Sequence, residues 1–589
     1  MRRVVLGCAI GIALFWAGTA GAIVTTVNCV HGNLQQKIDN VDPDSTLLIK
    51  GTCKGQFTID KSLKLVGNPN AILDGEKGGT VLTIIDGPVL LSHLKVTGGL
   101  LTGGTADGGG IYHSAGALTL RHVTVSGNRL HTTGVAGAIA TGAGIFSSGG
   151  SLVIRHSLIE NNIAKTTQSG SGVVAAGGIY RSGDLKIVDS TIRNNRAVTF
   201  PTGTNGLAQG GGVFLDSAAA PVIKGSIFSG NLARVSSTGG GVTAEGGGIY
   251  LNNGGLVDFE GSKFEANRAS AETGGTSADA RGGGIYADFD GGDFKRIKWF
   301  GNTTHGESTG DTTASGGGGT LISGLDFVLG RVRVSSNSTD SHGTNSSTAA
   351  GGGLEVQGLA DVKVSKVDAN TADAVEGGIR TATGGGLDIT SGGLRMARST
   401  VSRNEASALG GQALGGGIRV EGLPSGFIRN STVSANRATG NTSRGGGIDA
   451  SENLLNVVNA TVARNSATLG GGLYKETGTT TLEATILAAN TAATGPNCGG
   501  GSVDSVGHNL ISRTSGCTIT PLSSDIVNKG AKLGTLGKHG GPTETISLLA
   551  SSPAINAISS AHCAVDKDQR GVKRPQGRRC DIGAFEVKH

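Results

Sequence analysis

Aromatic side chains are scarce in this sequence: two Trp, five Tyr and 14 Phe among 589 residues, 4% of the chain, which excludes a core built mainly on large rings. Charge is scarce too. Asp, Glu, Lys and Arg make up 16% against a norm of about 25%, so a charge-rich disordered chain is excluded. The 50 basic and 44 acidic residues nearly cancel at +6, and nothing has the electrostatic footprint of a nucleic-acid binder. Beyond the N-terminus no apolar run approaches the roughly 18 residues a membrane span needs. Gly is what the chain has in excess, 105 residues, about 18% against a usual ~7%. It follows no Gly-X-Y period, which excludes collagen.

Arg2 and Arg3 precede an apolar run from Val4 to Trp16 and then Ala17-Gly18-Thr19-Ala20-Gly21-Ala22, the pattern of a secretory signal peptide over residues 1–22. Cleavage near Ile23 would remove Cys8 and leave six cysteines in three local pairs: Cys29 with Cys53, Cys498 with Cys517, and Cys563 with Cys580. An even number in an exported chain favours disulfides that clamp the two ends, with free thiols as the alternative. Their spacing matches no zinc ligand set.

From residue 108 to 492 one template recurs twelve times: Gly-Gly-Gly-apolar, a short apolar segment, then Ser-x-apolar-x-x-Asn-x-Ala. Its anchor asparagines are Asn128, Asn162, Asn195, Asn231, Asn267, Asn302, Asn337, Asn370, Asn404, Asn436, Asn465 and Asn490. The stretch from a triplet to its anchor keeps a length of about twenty residues, whereas the stretch from anchor to next triplet varies widely. One constant coil and one free loop are therefore expected. Eight residues before each anchor the position is always apolar (Leu120, Ile154, Phe259, Leu482), and so is the position three before (Val125, Ile159, Trp299, Leu487). Short β-branched alternation broken by Gly and Asn predicts brief strands and tight turns. Coils stacked in register would bury each column and advance about 4.8 Å apiece. The anchor Asn suits a left-handed bend, with its amide laddering to the next coil.

This layout resembles the right-handed parallel β-helix proteins, the all-β solenoids of pectin-lyase-like fold. The repeats resemble those of polymorphic outer-membrane proteins. Residues 23–107 read as an N-terminal cap with the first coils, Leu34 to Val41 being a short amphipathic cap. In the C-terminal part, residues 493–589, Gly507-His508-Asn509-Leu510, Gly540-Gly541-Pro542-Thr543, Ser552-Pro553-Ala554-Ile555-Asn556, Asp568-Gln569-Arg570-Gly571 and Asp581-Ile582-Gly583-Ala584-Phe585-Glu586 resemble the choice-of-anchor Q domain of bacterial surface proteins. No sorting segment follows Val587-Lys588-His589, and free secretion or noncovalent surface retention is the expectation.

If the residue after each triplet points inward, the next points out. That column begins with Tyr112, Phe146, Tyr180, Phe214, Tyr250 and Tyr286, a stripe of rings suited to sugar faces or, alternatively, to stacking on one another under the loops. It continues through Thr320, Glu355, Asp388, Arg419, Asp449 and Tyr474. Glu355 and Asp388 on adjacent strands are candidates for a Ca²⁺ site or an acid/base pair; the alternative is a solvated ladder in which Arg419 neutralises its neighbours. The β-helix resemblance implies that acidic-polysaccharide lyases and polygalacturonases work from such outward ladders. Another column, His122, His156 and Asp189, offers ligand-type side chains without a third ligand of assured geometry. No resident metal or cofactor is expected. The preferred function is a secreted or cell-surface recognition rod, adhesin-like, meeting a glycan or another cell-surface component; the alternative is an extracellular polysaccharide lyase or glycoside hydrolase.

Overall fold

Segments of Val, Ile and Thr with period two extend into strands, and the repeat stacks each strand on its counterpart one coil on. A computed structural model describes residues 23–588 apart from 135–136, 204, 217–219, 253–254 and 423–424. The expected signal peptide with Cys8 lies outside the described residues. The chain is an all-β parallel solenoid, whose strands assemble into one sheet of 42 strands and a second of 20. Register follows the repeat: Val125 pairs with Ile159 and Ile159 with Ile192, while Leu120 pairs with Ile154.

Both apolar columns face inward, and no member is more than 2% exposed. Between the middle coils the column three before the anchor becomes a stack of rings, Phe228 on Phe264 at 5.0 Å and Phe264 on Trp299 at 5.9 Å between centroids. The 20-stranded sheet buries small side chains of its own, among them Ala233, Ala269, Ala271, Ala278 and Ala280.

The variable stretches are not the expected free loops: through residue 383 they are two strands per coil of the 20-stranded sheet, and the later coils give it one strand each, Glu405–Leu414 and Arg437–Arg444, and then isolated bridges at Ser466 and Leu469. Arg268–Thr273 and Ser277–Arg281, for example, pair in parallel with Thr303–Ser308 and Asp311–Ser315. Their inward positions carry Ala, Ser and Thr, so the alternation is too weakly apolar to stand out in sequence.

The anchor asparagines form an unbroken buried ladder. In each step Oδ1 of one anchor accepts from the backbone N and Nδ2 of the anchor one coil before, as Asn302 Oδ1 does from Asn267 N at 3.1 Å and Asn267 Nδ2 at 2.9 Å. Nδ2 also donates to a carbonyl of the preceding coil, Asn267 to Phe228 O at 2.8 Å. The left-handed backbone falls elsewhere: the residue before the anchor adopts it, as at Asn161, Ala266, Arg403 and Ala435, whereas no anchor does. The Asn is required for its amide, which satisfies buried backbone groups that water cannot reach.

Each glycine of a triplet answers a different demand. In Gly246-Gly247-Gly248 the first turns the chain at φ +63, a Cβ on the second would stand 2.4 Å from Arg268 backbone, and one on the third 2.4 Å from the Gly284 carbonyl. The triplet is thus the tight corner between the two sheets.

The rod is closed at both ends. Asn33 accepts from Gln36 N and caps the helix Leu34–Asn40, whose Leu34 and Ile38 seal the first coil. Disulfides join Cys29 to Cys53, Cys498 to Cys517 and Cys563 to Cys580 at Cα separations of 4.9, 4.9 and 5.9 Å, within the range such bridges span. The C-terminal segment folds back along the rod. Gln569 is fully buried and its Nε2 donates to Ser399 O, Thr400 Oγ1, Thr543 Oγ1 and Glu544 O. Arg574 pairs with Glu586 in the interior, and Arg570 lies 3.6 Å over the Phe585 ring while pairing with Asp568.

Candidate functional site

The corner made by each Gly triplet sets two outward columns side by side, the residue before the triplet and the second residue after it. Ser315 meets Thr320 at 3.2 Å, Thr383 bonds Asp388, and Arg444 meets Asp449 at 2.9 Å. The sequence reading found only the later column. The earlier one was hidden because it ends the strands taken for loops.

Along the later column the six rings stack face to face, with centroids 5.0–5.2 Å apart and planes within 14° from Tyr112 to Tyr286. Tyr112, Phe146 and Tyr180 are half-buried; Phe214, Tyr250 and Tyr286 are buried. Of the two arrangements open to the stripe, rings facing a sugar or rings stacked on one another, the geometry is the stacked one, with most faces turned toward neighbouring rings. The coil rise of about 4.8 Å is close to the stacking distance, so neighbours in register cover one another. Beside Tyr250 and Tyr286, Glu245 accepts from Gln209 at 2.8 Å and stands 3.8 Å from Arg281. Burial pushes the carboxyl of Glu245 up and the phenol of Tyr250 up.

Glu355 and Asp388 are neighbours in register, as are Asp388 and Arg419, and Arg419 and Asp449. Burial raises the carboxyl of Glu355, with a hydrogen bond from Ser315 opposing and the Asp388 charge adding. Burial raises Asp388 as well, against the pull of Arg419. Arg419 pairs with both Asp388 and Glu421, and Arg444 with both Asp449 and Glu476. The ladder therefore holds two raised carboxyls side by side, followed by arginines that are each already shared between two acids.

His122 stacks on His93 at 4.7 Å and on His156 at 5.2 Å. His93, His122, His156 and Asp189 all have left-handed backbone, as do Gly225, Gly261, Arg296 and Arg331 in the same column. The column is a turn position that selects residues by backbone conformation, and its imidazoles lie ring on ring instead of converging on a point.

A basic cleft, missed in the sequence, lies where the 20-stranded sheet begins. Its volume is about 630 Å³, and Lys77, Arg129, His131 and Lys165 line it with Leu100, Leu130 and Ile163. His131 and Lys165 face each other in register, and Arg129 stands beside Ile163. Burial and then the Lys165 charge lower the His131 imidazole. Neither Lys77, Arg129 nor Lys165 forms an ion pair with a described residue; Lys165 lies 5.2 Å over the Phe200 ring. Four cationic-type side chains share one concavity without an acid among its lining residues.

No helix among the described residues is long and apolar enough to cross a membrane. No family model matches this chain. No curated protein matches it. Among solved structures, that of a PL6 family alginate lyase, AlyGC, is similar at 9% identity, covering 86% of this chain and 97% of that chain with a TM-score of 0.12. A likeness so faint carries no argument about activity.

Proposed function

We propose that this protein is a secreted or cell-surface β-helix rod of the recognition type, adhesin-like, which holds anionic carbohydrate in the cleft of Lys77, Arg129, His131 and Lys165. In this reading a signal peptide at 1–22 leads the chain out, residues 23–107 cap the rod and lend Lys77 and Leu100 to the cleft, residues 108–492 carry the rest of the ligand face, and residues 493–589 are a choice-of-anchor Q-like clasp. The observation that carries it is the uncompensated positive charge of that cleft. Cations without acidic partners, set beside apolar Leu100 and Ile163, suit a ligand with carboxylate or sulfate groups on a partly apolar ring. The outward edges of Tyr112, Phe146 and Tyr180 offer hydroxyls and apolar rims as a further contact. Three disulfides fit an oxidising compartment. Affinity electrophoresis in gels containing polygalacturonate, alginate or a neutral glucan tests the reading. The folded mature protein is retarded by the acidic polymers at low salt and released at high salt, and the Arg129→Glu/Lys165→Glu variant runs unretarded. Equal retardation of the variant and the wild type overturns it.

A second reading, an extracellular polysaccharide lyase or glycoside hydrolase, rests on Glu355 beside Asp388, two carboxyls whose proton affinity is raised. One of the pair protonated and the other ionised is the arrangement general acid/base chemistry needs. Sustained release of reducing ends or unsaturated uronates, abolished in Glu355→Gln, would establish it; no product from folded protein on the same polymers removes it.

A further inference from the structure

We propose that His305, Asp340 and His342 form a binding site for a zinc-class divalent cation on the outer face of the 20-stranded sheet. His305 lies on strand Thr303–Ser308; Asp340 and His342 lie on the neighbouring strand Ser338–Gly343. Period two sends Asp340 and His342 to the same face, and register places His305 opposite Asp340, so two rigid strands fix three ligand-type side chains. One donor atom from each lies within 4.8 Å of the others. His342 Nε2 is 3.6 Å from Asp340 Oδ2, and the His305 Nδ1 contacts the same carboxylate. Glu307, opposite His342 in register, stands 3.7 Å from His305 Nε2 and adds a further carboxylate.

Zinc takes its ligands at about 2.0–2.2 Å, so small side-chain rotations would bring these donors around one ion. Two imidazoles with carboxylate select a borderline cation over Ca²⁺, which prefers an all-oxygen shell. All three side chains are half-buried and stay open to solvent on the sheet face, which leaves a coordination position for water or a ligand group. The site is separate from the basic cleft, and His122, His156 and Asp189, the ligand-type column the sequence offered, are not part of it.

Isothermal titration of untagged mature protein with Zn²⁺, and then with Ca²⁺, tests this. One saturable Zn²⁺ equivalent per chain is expected, weakened at least tenfold in Asp340→Asn and lost in His305→Ala/His342→Ala, with Ca²⁺ unable to compete. His122→Ala/His156→Ala retains it, which separates this site from imidazoles elsewhere. Co²⁺ gives visible ligand-field absorption that disappears in the same two variants, and circular dichroism confirms that each variant is folded. Unchanged Zn²⁺ binding in the folded double variant overturns the assignment, as does the absence of saturable binding by the wild type.

Discussion

Arg419 reaches back one coil to Asp388, Nη1 to Oδ1 at 3.1 Å, and that carboxylate has no exposed surface. A buried carboxylate survives because a guanidinium on the next rung of the ladder neutralises it. Parallel in-register stacking makes this pairing one-dimensional: Asp388 is answered from the coil that follows it.

Arg419→Met is expected to lower unfolding stability by about 3–5 kcal/mol, the typical cost of leaving one member of a buried pair alone. Asp388→Asn, which keeps the hydrogen bond from Thr383 without a charge, costs less. Denaturant titration of the two variants checks the order. Equal losses would mean that the charge pairing is incidental.

The Asn ladder predicts a local defect. Asn267→Ala leaves the Phe228 carbonyl and the Asn231 backbone N and Nδ2 without their partner, on the order of 3 kcal/mol for the unsatisfied groups. Hydrogen exchange should quicken around residues 231–302 and much less near the ends, because a solenoid transmits stability between neighbours.

Asp449 gives a pH dependence of definite sign. Burial pushes its carboxyl up to about 7 despite the Arg444 guanidinium, against about 3.9 in an unfolded chain. The folded state therefore binds more protons between those values. The stability this group contributes is full below about pH 4 and lost as pH rises through about 7. Asp449→Asn removes that loss, so its melting temperature relative to the wild type should climb between about pH 5 and pH 8. Glu476, held down by the hydrogen bond from Arg444, acts with the opposite sign at acid pH.

Gln569→Leu should free the C-terminal clasp while sparing the rod. It removes the amide that joins Ser399, Thr400 and Thr432 of the rod to Thr543 and Glu544. Limited proteolysis is expected to cut near residues 540–575 in the variant, with the β-sheet circular dichroism of the rod retained. Wild-type resistance to cleavage would show that the other contacts suffice.

Much of the rod was legible in the residues. The apolar columns at Leu120 and Val125 and their counterparts, the Gly triplets and the ladder of Asn amides all follow from a period that needs only counting. The aromatic column was legible as well, with stacking among the rings as one of its two readings; the coil rise is what selects it. The basic cleft left only scattered signals: Lys77, Arg129 and Lys165 come from three different coils and share no motif. The same holds for His305, Asp340 and His342, which sit in a stretch the variable length had marked as loop.

By itself the sequence determined the repeat, the inward columns and the cysteine pairs, because each is a periodic or local property that every coil restates. The tertiary structure alone decided which residue takes the left-handed turn, that the variable stretches are strands, and which outward side chains meet. Those outcomes depend on parallel register between coils some thirty residues apart, where distance along the chain says little about distance in space. The C-terminal segment shows the same: only folding back onto Ser399, Thr400 and Thr432 gives the buried amide of Gln569 its partners.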